Sequence, residues 1–528
     1  MSKATGLYAV VFVLLWACIS SSAQTIYVDV EGPHDPGSGT LEDPFRRIQV
    51  AIDAAADGDT VEIRPGVYTG PGNYDLDPNG KSITIRSSEP NNPCIVDRTI
   101  IDPNLAGRGF YIHSGEDINC VISGVTIRNG YTVVGYNGAG IYCYDSSPTM
   151  HNCVIRDGWA EGGSGGGICF DYGNPTVLNC IITGNAANYY GGGISCRFSA
   201  PTIIGCTISG NTAGLEGGGI DSGMGDPNIL NCIIIDNNAP VGGGINCYYQ
   251  GVANVINCTI VANSAEYAGG AVYCWYEGSA FLKNSILWAN SAIDGTQLGL
   301  DTEGSASIAY CDVQGGQINI YDPCDKLFWG AGNIDIDPCF AAFDPNGDPN
   351  LWDLHLQSID GRWNPAFYRT DLNNDEIINL VDFAILAGVW LQGGNMPEDL
   401  DNSGTVDLPD LELFAQYYLA NSYEDGWLSD SSTSPCVDTG DPNSDWSTEL
   451  WPNGKRINMG AYGGTHQASK NGNLADFDVN GTVDFVDFAA LGGKWMTQGG
   501  FIEDLSCDGM IGYADVSMFA ENWLWQRE

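Results

Sequence analysis

From about residue 138 to residue 290, apolar and polar positions alternate at a spacing of two within short runs, and the runs themselves return at intervals of 25 to 27 residues. One phrase reads Gly138-Ala139-Gly140-Ile141, then Gly-Gly-Gly-Ile ending at Ile168, Ile194, Ile220 and Ile245, then Gly269-Gly270-Ala271-Val272. A second places Cys153, Cys180, Cys206, Cys232, Cys258 and Ser285 two residues before Ile155, Ile182, Ile208, Ile234, Ile260 and Leu287. Side chains two apart on a strand share a face, so the Cys and the aliphatic residue both point inward. Spacing of two with many β-branched residues predicts strands, not helices. Two further columns mark turns: Pro148, Pro175, Pro201 and Pro227, and then Asn185, Asn211, Asn237, Asn263 and Asn290, whose stacked amides can bond from coil to coil. A fixed period of this length means stacked units, here a parallel β-solenoid with neighbouring strands about 4.8 Å apart.

Ahead of the repeats, Pro44 to Ala56 reads as an amphipathic segment with Phe45, Ile48 and Ile52 on one face. It predicts a plug for the open N-terminal end of the solenoid. The opening Ile26-Tyr27-Val28-Asp29, this plug, Gly58-Asp59-Thr60-Val61 and the coils resemble right-handed parallel β-helix proteins of the pectin-lyase-like type. The resemblance implies that fold, and implies little about activity, because the fold hosts lyases, hydrolases, adhesins and binding proteins alike.

The formal charge of −45 argues against nucleic acid or an anionic membrane as partner and suits bound cations. The N-terminus runs from Lys3 through an apolar stretch, Leu7 to Ile19, to Ser21-Ser22-Ala23, which reads as a secretory leader cut after Ala23. Lipidation at Cys18 is the rival, with Trp16 a poor fit before Ala17-Cys18. No other segment is long and apolar enough to span a bilayer. Eighteen Cys in a secreted chain normally suggest disulfides, but inward Cys on stacked strands behave as small apolar fillers, and pairing parallel neighbours strains the bond. The expected disulfide lies outside the ladder, between Cys339 and Cys436. Cys169 falls on an outward position, with Phe170 inward, and reads as an exposed thiol or a bonded one.

Beyond the solenoid a twelve-residue loop occurs four times. Oxygen-bearing residues recur at its positions 1, 3, 5, 9 and 12: Asp371, Asn373, Asp375, Asn379 and Asp382; Asp399, Asp401, Ser403, Asp407 and Asp410; Asp476, Asp478, Asn480, Asp484 and Asp487; and Asp504, Ser506, Asp508 and Asp515, where Gly512 leaves position 9 empty. Such a set, with Ile378, Val406, Val483 and Ile511 at position 8, is what Ca2+ requires. One helix is expected after each loop, with stripes such as Phe383, Leu386 and Trp390 or Phe488, Leu491 and Trp495. The loops come in pairs 28 residues apart and resemble dockerin modules, which implies calcium binding and docking onto a cohesin-like protein. Glu376 replaces the turn glycine of the first loop, and the partner-reading pairs, such as Leu380-Val381 and Phe485-Val486, are apolar rather than small hydroxyl residues.

Counting from each repeat isoleucine, positions +1 and +3 of the glycine strand face outward. Asp171, Arg197 and Asp221 lie there on neighbouring coils and are the candidate catalytic residues. Tyr144, Tyr248 and Trp275 flank them as candidate sugar-stacking residues. The competing reading is a surface ion pair among scattered aromatics, and the column holds no His and no Asp-Asp pair. The domain reading is a leader at 1–23, a β-helix with helical cap at 24–368, an inserted dockerin-like pair at 369–425, a closing segment of the β-helix at 426–470 and a second pair at 471–528. The functional expectation is a secreted, calcium-binding β-helix protein that binds an extracellular polysaccharide, with its degradation left open. A non-catalytic structural or adhesive surface protein is the alternative.

Overall fold

The computed structural model describes residues 23–345 without a break, then parts of 347–363, the stretches 427–450, 456–470 and 485–496, and isolated positions elsewhere up to 520. The expected leader therefore lies outside the described residues.

The chain winds as a parallel β-solenoid with four long sheets of 12, 10, 8 and 6 strands. One coil runs through Ile141–Tyr144, Thr149–His151, Val154–Arg156 and Trp159–Ala160 before Ile168–Asp171 restarts the cycle one layer up. The register is that of the sequence repeat: Ile141 pairs with Ile168, Ile168 with Ile194, Ile194 with Ile220, Ile220 with Ile245 and Ile245 with Val272. Inward Ile and Cys form one continuous core, with Phe110 and Phe170 among its largest members.

The Cys column does more than fill space. Each of its thiols donates to the carbonyl two residues back, as Cys232 does to Leu230 at 3.2 Å. Cys180 also accepts from the backbone N–H of Cys153 on the coil before it, at 3.4 Å. Ser285 takes that place for Cys258 at 3.1 Å, so the column needs a small side chain that both gives and accepts. The Asn column bonds as expected. Asn211 Oδ1 accepts from both the backbone N and the side-chain Nδ2 of Asn185, and the pattern continues through Asn237 and Asn263 to Asn290. Every buried amide is thereby satisfied along this turn.

The N-terminal plug is the helix Ile48–Ala54, which buries Ile48, Ala51 and Ile52 and receives the Asn73 side chain at the Ile48 N–H. A second helix, Pro93–Arg98, is N-capped by Asn92 and was not foreseen.

The stretch expected to close the β-helix does not stack as another coil. It lies on the outside of the 10-stranded sheet, where Ile235, Val261 and Ile286 pack against Phe340, Leu354, Leu356, Val437 and Met459. Asn231 and Asn257 side chains donate to Gly463, and Gly460 N donates to Asn284 O. The chain leaves through Arg362–Trp363 and returns antiparallel beside it as Trp427–Leu428. The intervening loops, with the first two candidate calcium sites, lie outside the described residues, as do the ligands of the other two except Asp487. Described fragments form two small cores, one around Leu372, Leu386, Val406 and Phe414 and one around Phe477, Val483, Leu491, Ile511 and Phe519. Phe383 and Phe488, expected on the buried stripe, are 39% and 45% exposed.

Cys339 and Cys436 are both free thiols, contrary to the expected disulfide. Cys436 is committed elsewhere: its Sγ donates to Asp312 Oδ2 at 3.1 Å beneath the flanking segment.

Candidate functional site

The 8-stranded sheet carries the glycine phrases, and its outer face holds the predicted columns. Position +1 runs Tyr142, Cys169, Ser195, Asp221, Asn246 and Tyr273 in unbroken parallel register. These residues point out of the solenoid as expected, yet they are not exposed: Ser195, Asp221 and Asn246 are fully buried. The cause is the phrase itself. Its first glycine, Gly217 or Gly242 for example, adopts φ near +62 to +66° and folds back over the column. A Cβ on Gly217 would meet the Asp221 Cβ at 2.9 Å, and one on Gly242 the Asn246 Cβ at 2.8 Å. Only glycine fits this lip. Cys169 is covered in the same way, so it is a buried free thiol rather than an exposed or bonded one. Burial pushes that thiol well above its usual range, which makes it unreactive.

Position +3 holds Asp171 and Arg197 on adjacent coils. The guanidinium clasps the carboxylate in a two-bond fork, Nε to Oδ1 at 2.6 Å and Nη2 to Oδ2 at 2.7 Å. Tyr142 Oη adds a third bond to Asp171 at 2.8 Å. The hydrogen-bonded carboxylate raises the Arg197 basicity further, and the two side chains are mutually committed.

A third column was missed from the sequence. The residue just before each glycine phrase leans over the sheet: Asn137 reaches Asp171, Tyr190 stacks on Tyr248 at 5.8 Å, and Glu216 reaches Asn246 and Trp275. Asn246 Nδ2 donates to both Glu216 Oε2 at 2.9 Å and Asp221 Oδ1 at 2.8 Å, so one amide bridges two carboxyl groups. Burial pushes Asp221 well above the usual carboxylate range, and the nearby Glu216 adds to the rise. Burial raises Glu216 as well, against the opposing bonds from Trp275 and Asn246. Glu216 is half-buried, and both of its bonds fall on Oε2, which leaves Oε1 turned to the open side. A carboxyl raised in this way holds its proton more readily than a free one, which is what a general acid needs. The signal was available: positions 137, 190 and 216 stand at one fixed offset from Ile141, Ile194 and Ile220.

Aromatic rings line the rest. Tyr190, Tyr248 and Trp275 form one stack, with Tyr248 and Trp275 5.8 Å apart and 19° from parallel. Burial pushes the Tyr248 hydroxyl up to about 12. On the opposite edge Tyr172, Phe198, Tyr249 and Tyr276 occupy the left-handed region, φ +49 to +59°, and stand about half exposed. Tyr172 stacks on Phe198 and Tyr249 on Tyr276, each pair at 5.1 Å. Bulky residues rarely take that conformation, and such outliers cluster at binding and catalytic sites. Tyr144 is exposed and meets Tyr172 edge-on, outside the central stack. These columns run side by side along the solenoid axis, the +1 and +3 columns between the pre-glycine column and the left-handed aromatics, a strip termed the groove.

Thus the structure gathers Arg197 with Asp171, and Tyr248 with Trp275, but it seats Asp221 beneath Glu216 and not at the surface. Of the candidate calcium ligands, Asp487 is described: it is fully buried in the first turn of the helix Phe485–Gly493.

Comparison with known proteins bears on the fold. The family described as "Right handed beta helix region" matches residues 108–287, and the solenoid is a right-handed parallel β-helix. The "Uncharacterized protein YwoF" of Bacillus subtilis (strain 168) is 33% identical over 146 residues, which is 27% of this chain and 29% of that protein. The match thus spans less than a third of that relative. Among solved structures, "Crystal structure of pectate lyase Pel9A" is 14% identical with a TM-score of 0.45, covering 84% of this chain and 96% of that one. "Rhamnogalacturonan lyase" is also 14% identical, with a TM-score of 0.31 over 62% of this chain and 94% of that one.

Proposed function

We propose that the groove binds a polysaccharide lengthwise along the solenoid axis. The observation that carries this reading is the Tyr190–Tyr248–Trp275 stack beside the open oxygen of Glu216. Sugar faces are apolar and pack on aromatic rings, while their hydroxyls need acceptors and donors placed around the ring. Coils about 4.8 Å apart set such groups at a fixed step along a polymer. Affinity electrophoresis of the purified chain through polysaccharide-containing gels tests it: retardation by at least one polymer is expected, and free migration in all of them would sink the reading.

Cleavage is a second reading, favoured by the raised Glu216 carboxyl with its one open oxygen. Glu216 would then serve as general acid or base at the glycosidic linkage. Reducing-end and unsaturated-product assays on the native chain and on Glu216→Gln separate the two. Turnover lost in the variant with binding kept supports cleavage; no turnover in the native chain leaves a binding or adhesive protein.

The remaining parts of the proposal concern deployment. The chain is exported by its leader, and the twelve-residue loops bind Ca2+ and serve attachment or assembly, a cohesin-like protein being the partner the dockerin resemblance names. The support is local: the position-8 residues Val483 and Ile511 share one small core, and the Asp487 side chain at position 12 is turned inward and fully buried beside it. Calcium titration with EDTA reversal checks it: an unfolding temperature indifferent to both would remove the calcium claim.

A further inference from the structure

We infer that this groove selects an uncharged glycan, and that the Asp171–Arg197 pair is what sets that selectivity. The inference rests on the polysaccharide reading above. Arg197 is the sole Lys or Arg on the eight strands of the glycine sheet, from Phe110–Ile112 to Leu298–Asp301. Its charge is already matched, because Nε and Nη2 both lie on Asp171, whose side chain is 3% exposed. At the N-terminal end, Arg108 is enclosed by the rings of Tyr111, Tyr136 and Tyr142 at 5.0–5.7 Å, and its Nη1 lies 3.8 Å from Asp75. His113, one residue past Phe110–Ile112 in the +3 column, stacks on Tyr111 at 4.0 Å, and its Nδ1 lies 3.7 Å from Asp77. Beyond it the groove presents acids and phenols: Glu216, Asp221, Asp301 beside Tyr273, and the tyrosines.

A carboxylate or sulfate on an incoming sugar would meet no unpaired cation there. It would also meet like-charge repulsion from Glu216 wherever that carboxyl is ionised. The −45 charge of the chain extends that repulsion outward and slows the approach of any polyanion. A neutral sugar avoids both terms. It finds faces for stacking on Tyr248 and Trp275 and an acceptor for its hydroxyls at Glu216 Oε1. An anionic polymer has one other way in, through divalent cations bridging it to Glu216, so the test must include calcium.

The full-length chain is titrated by affinity electrophoresis against neutral polymers (mixed-linkage β-glucan, galactomannan, xylan) and polyuronates (polygalacturonate, alginate). Each series is run with EDTA and with millimolar calcium. Retardation by a neutral polymer, and by neither polyuronate under either condition, is the expected result. Asp171→Asn leaves the Arg197 fork unpaired and should gain polyuronate affinity by about tenfold. Binding of a polyuronate by the native chain as tightly as any neutral polymer, with or without calcium, overturns the inference, and this arm decides even where the variant does not fold. A folded Asp171→Asn chain with no such gain removes the pair's role in selectivity. Failure to bind any polymer falls on the groove reading itself and takes the inference with it.

Discussion

Two outer faces of the same solenoid receive opposite treatment. On the 10-stranded sheet the outward residues Ile235, Val261 and Ile286 are aliphatic, and the chain returns to cover them with Phe340, Leu354, Val437 and Met459. On the glycine sheet the outward residues are aromatic and ionisable, and what covers them is a one-residue glycine lip, with the rings left half exposed. Both faces bury carboxyl groups: Asp312 under the flanking segment and Glu449 within it, Asp221 under Glu216. The difference is that the flank spends its apolar surface on its own chain, whereas the groove keeps its surface for something else. An outer face of a stacked-coil protein is therefore read by what lies over it, since pointing outward does not by itself mean exposure.

The sharpest way to break the comparison is to place a charge on each face. Val261→Asp buries an unpaired carboxylate between solenoid and flank, and a loss of about 3 to 5 kcal/mol is expected. Tyr172→Asp places the same charge on the open edge of the groove, where a change within about 0.5 kcal/mol is expected. Denaturant unfolding of both variants, with limited proteolysis of the 434–464 segment, reads the contrast. Equal losses would mean that the groove is a packed surface like the flank.

A smaller effect comes from pH. Burial holds the carboxyls of Asp312 and Glu449 up to about 7 each, with Asp335 and Asp337 adding to the first and Asp438 to the second. In the unfolded chain both titrate near 4. A folded carboxyl with a raised pKa binds its proton more tightly than the unfolded one, so its contribution is complete below about pH 4 and is lost as pH climbs through 7. The Cys436 thiol, which donates to Asp312, is itself pushed well up by burial and does not titrate in this window. Stability should thus fall from pH 4 to 7, by about 1 to 3 kcal/mol per group. Asp312→Asn with Glu449→Gln should flatten the flank's share of that slope. The remainder is shared by Glu216 and Asp221 in the groove and Asp236 outside it, all raised by burial, and an undiminished slope in the double variant would place the effect outside the flank's two buried acids.

How much of this was legible beforehand follows from the range of the interactions. The glycine, Cys and Asn columns repeat a local environment coil after coil, so period and alternation were enough to place Ile141 and Cys180 in the core and Asn211 in a stacked turn, all in register. The burial of Asp221 was not legible, because it depends on Gly217 folding back across the strand that follows it. Glu216 was not legible either, because it precedes a strand and alternation assigns no face to such a position. The flanking segment was recognised as part of the solenoid but placed at its end. Its actual seat depends on Asn231, Asn257 and Asn284, which lie about 160 to 230 residues away in sequence. Cys436 was paired with the wrong partner for the same reason, since Asp312 is 124 residues distant.

The smallest stability effect should accompany a large change in binding, and it bears on what the open rings are for. Trp275 is half-buried, stacks on Tyr248 at 5.8 Å and donates to Glu216 Oε2 at 3.3 Å. Trp275→Ala removes a ring from the wall without opening the inner core, whose nearby residues Cys274 and Leu300 stay packed. A stability loss near 1 kcal/mol is expected, well below the 3 to 5 usual for a core tryptophan. If the rings are there for sugar, affinity for the polymer that retards the native chain should drop by about tenfold, the worth of roughly one stacking contact. Trp275→Phe keeps a face for stacking and loses the bond to Glu216, so it should recover most of the affinity. A loss of several kcal/mol in stability with unchanged binding would reverse the comparison: the groove would then be a second internal seam, and the flank would have to be searched for the binding surface.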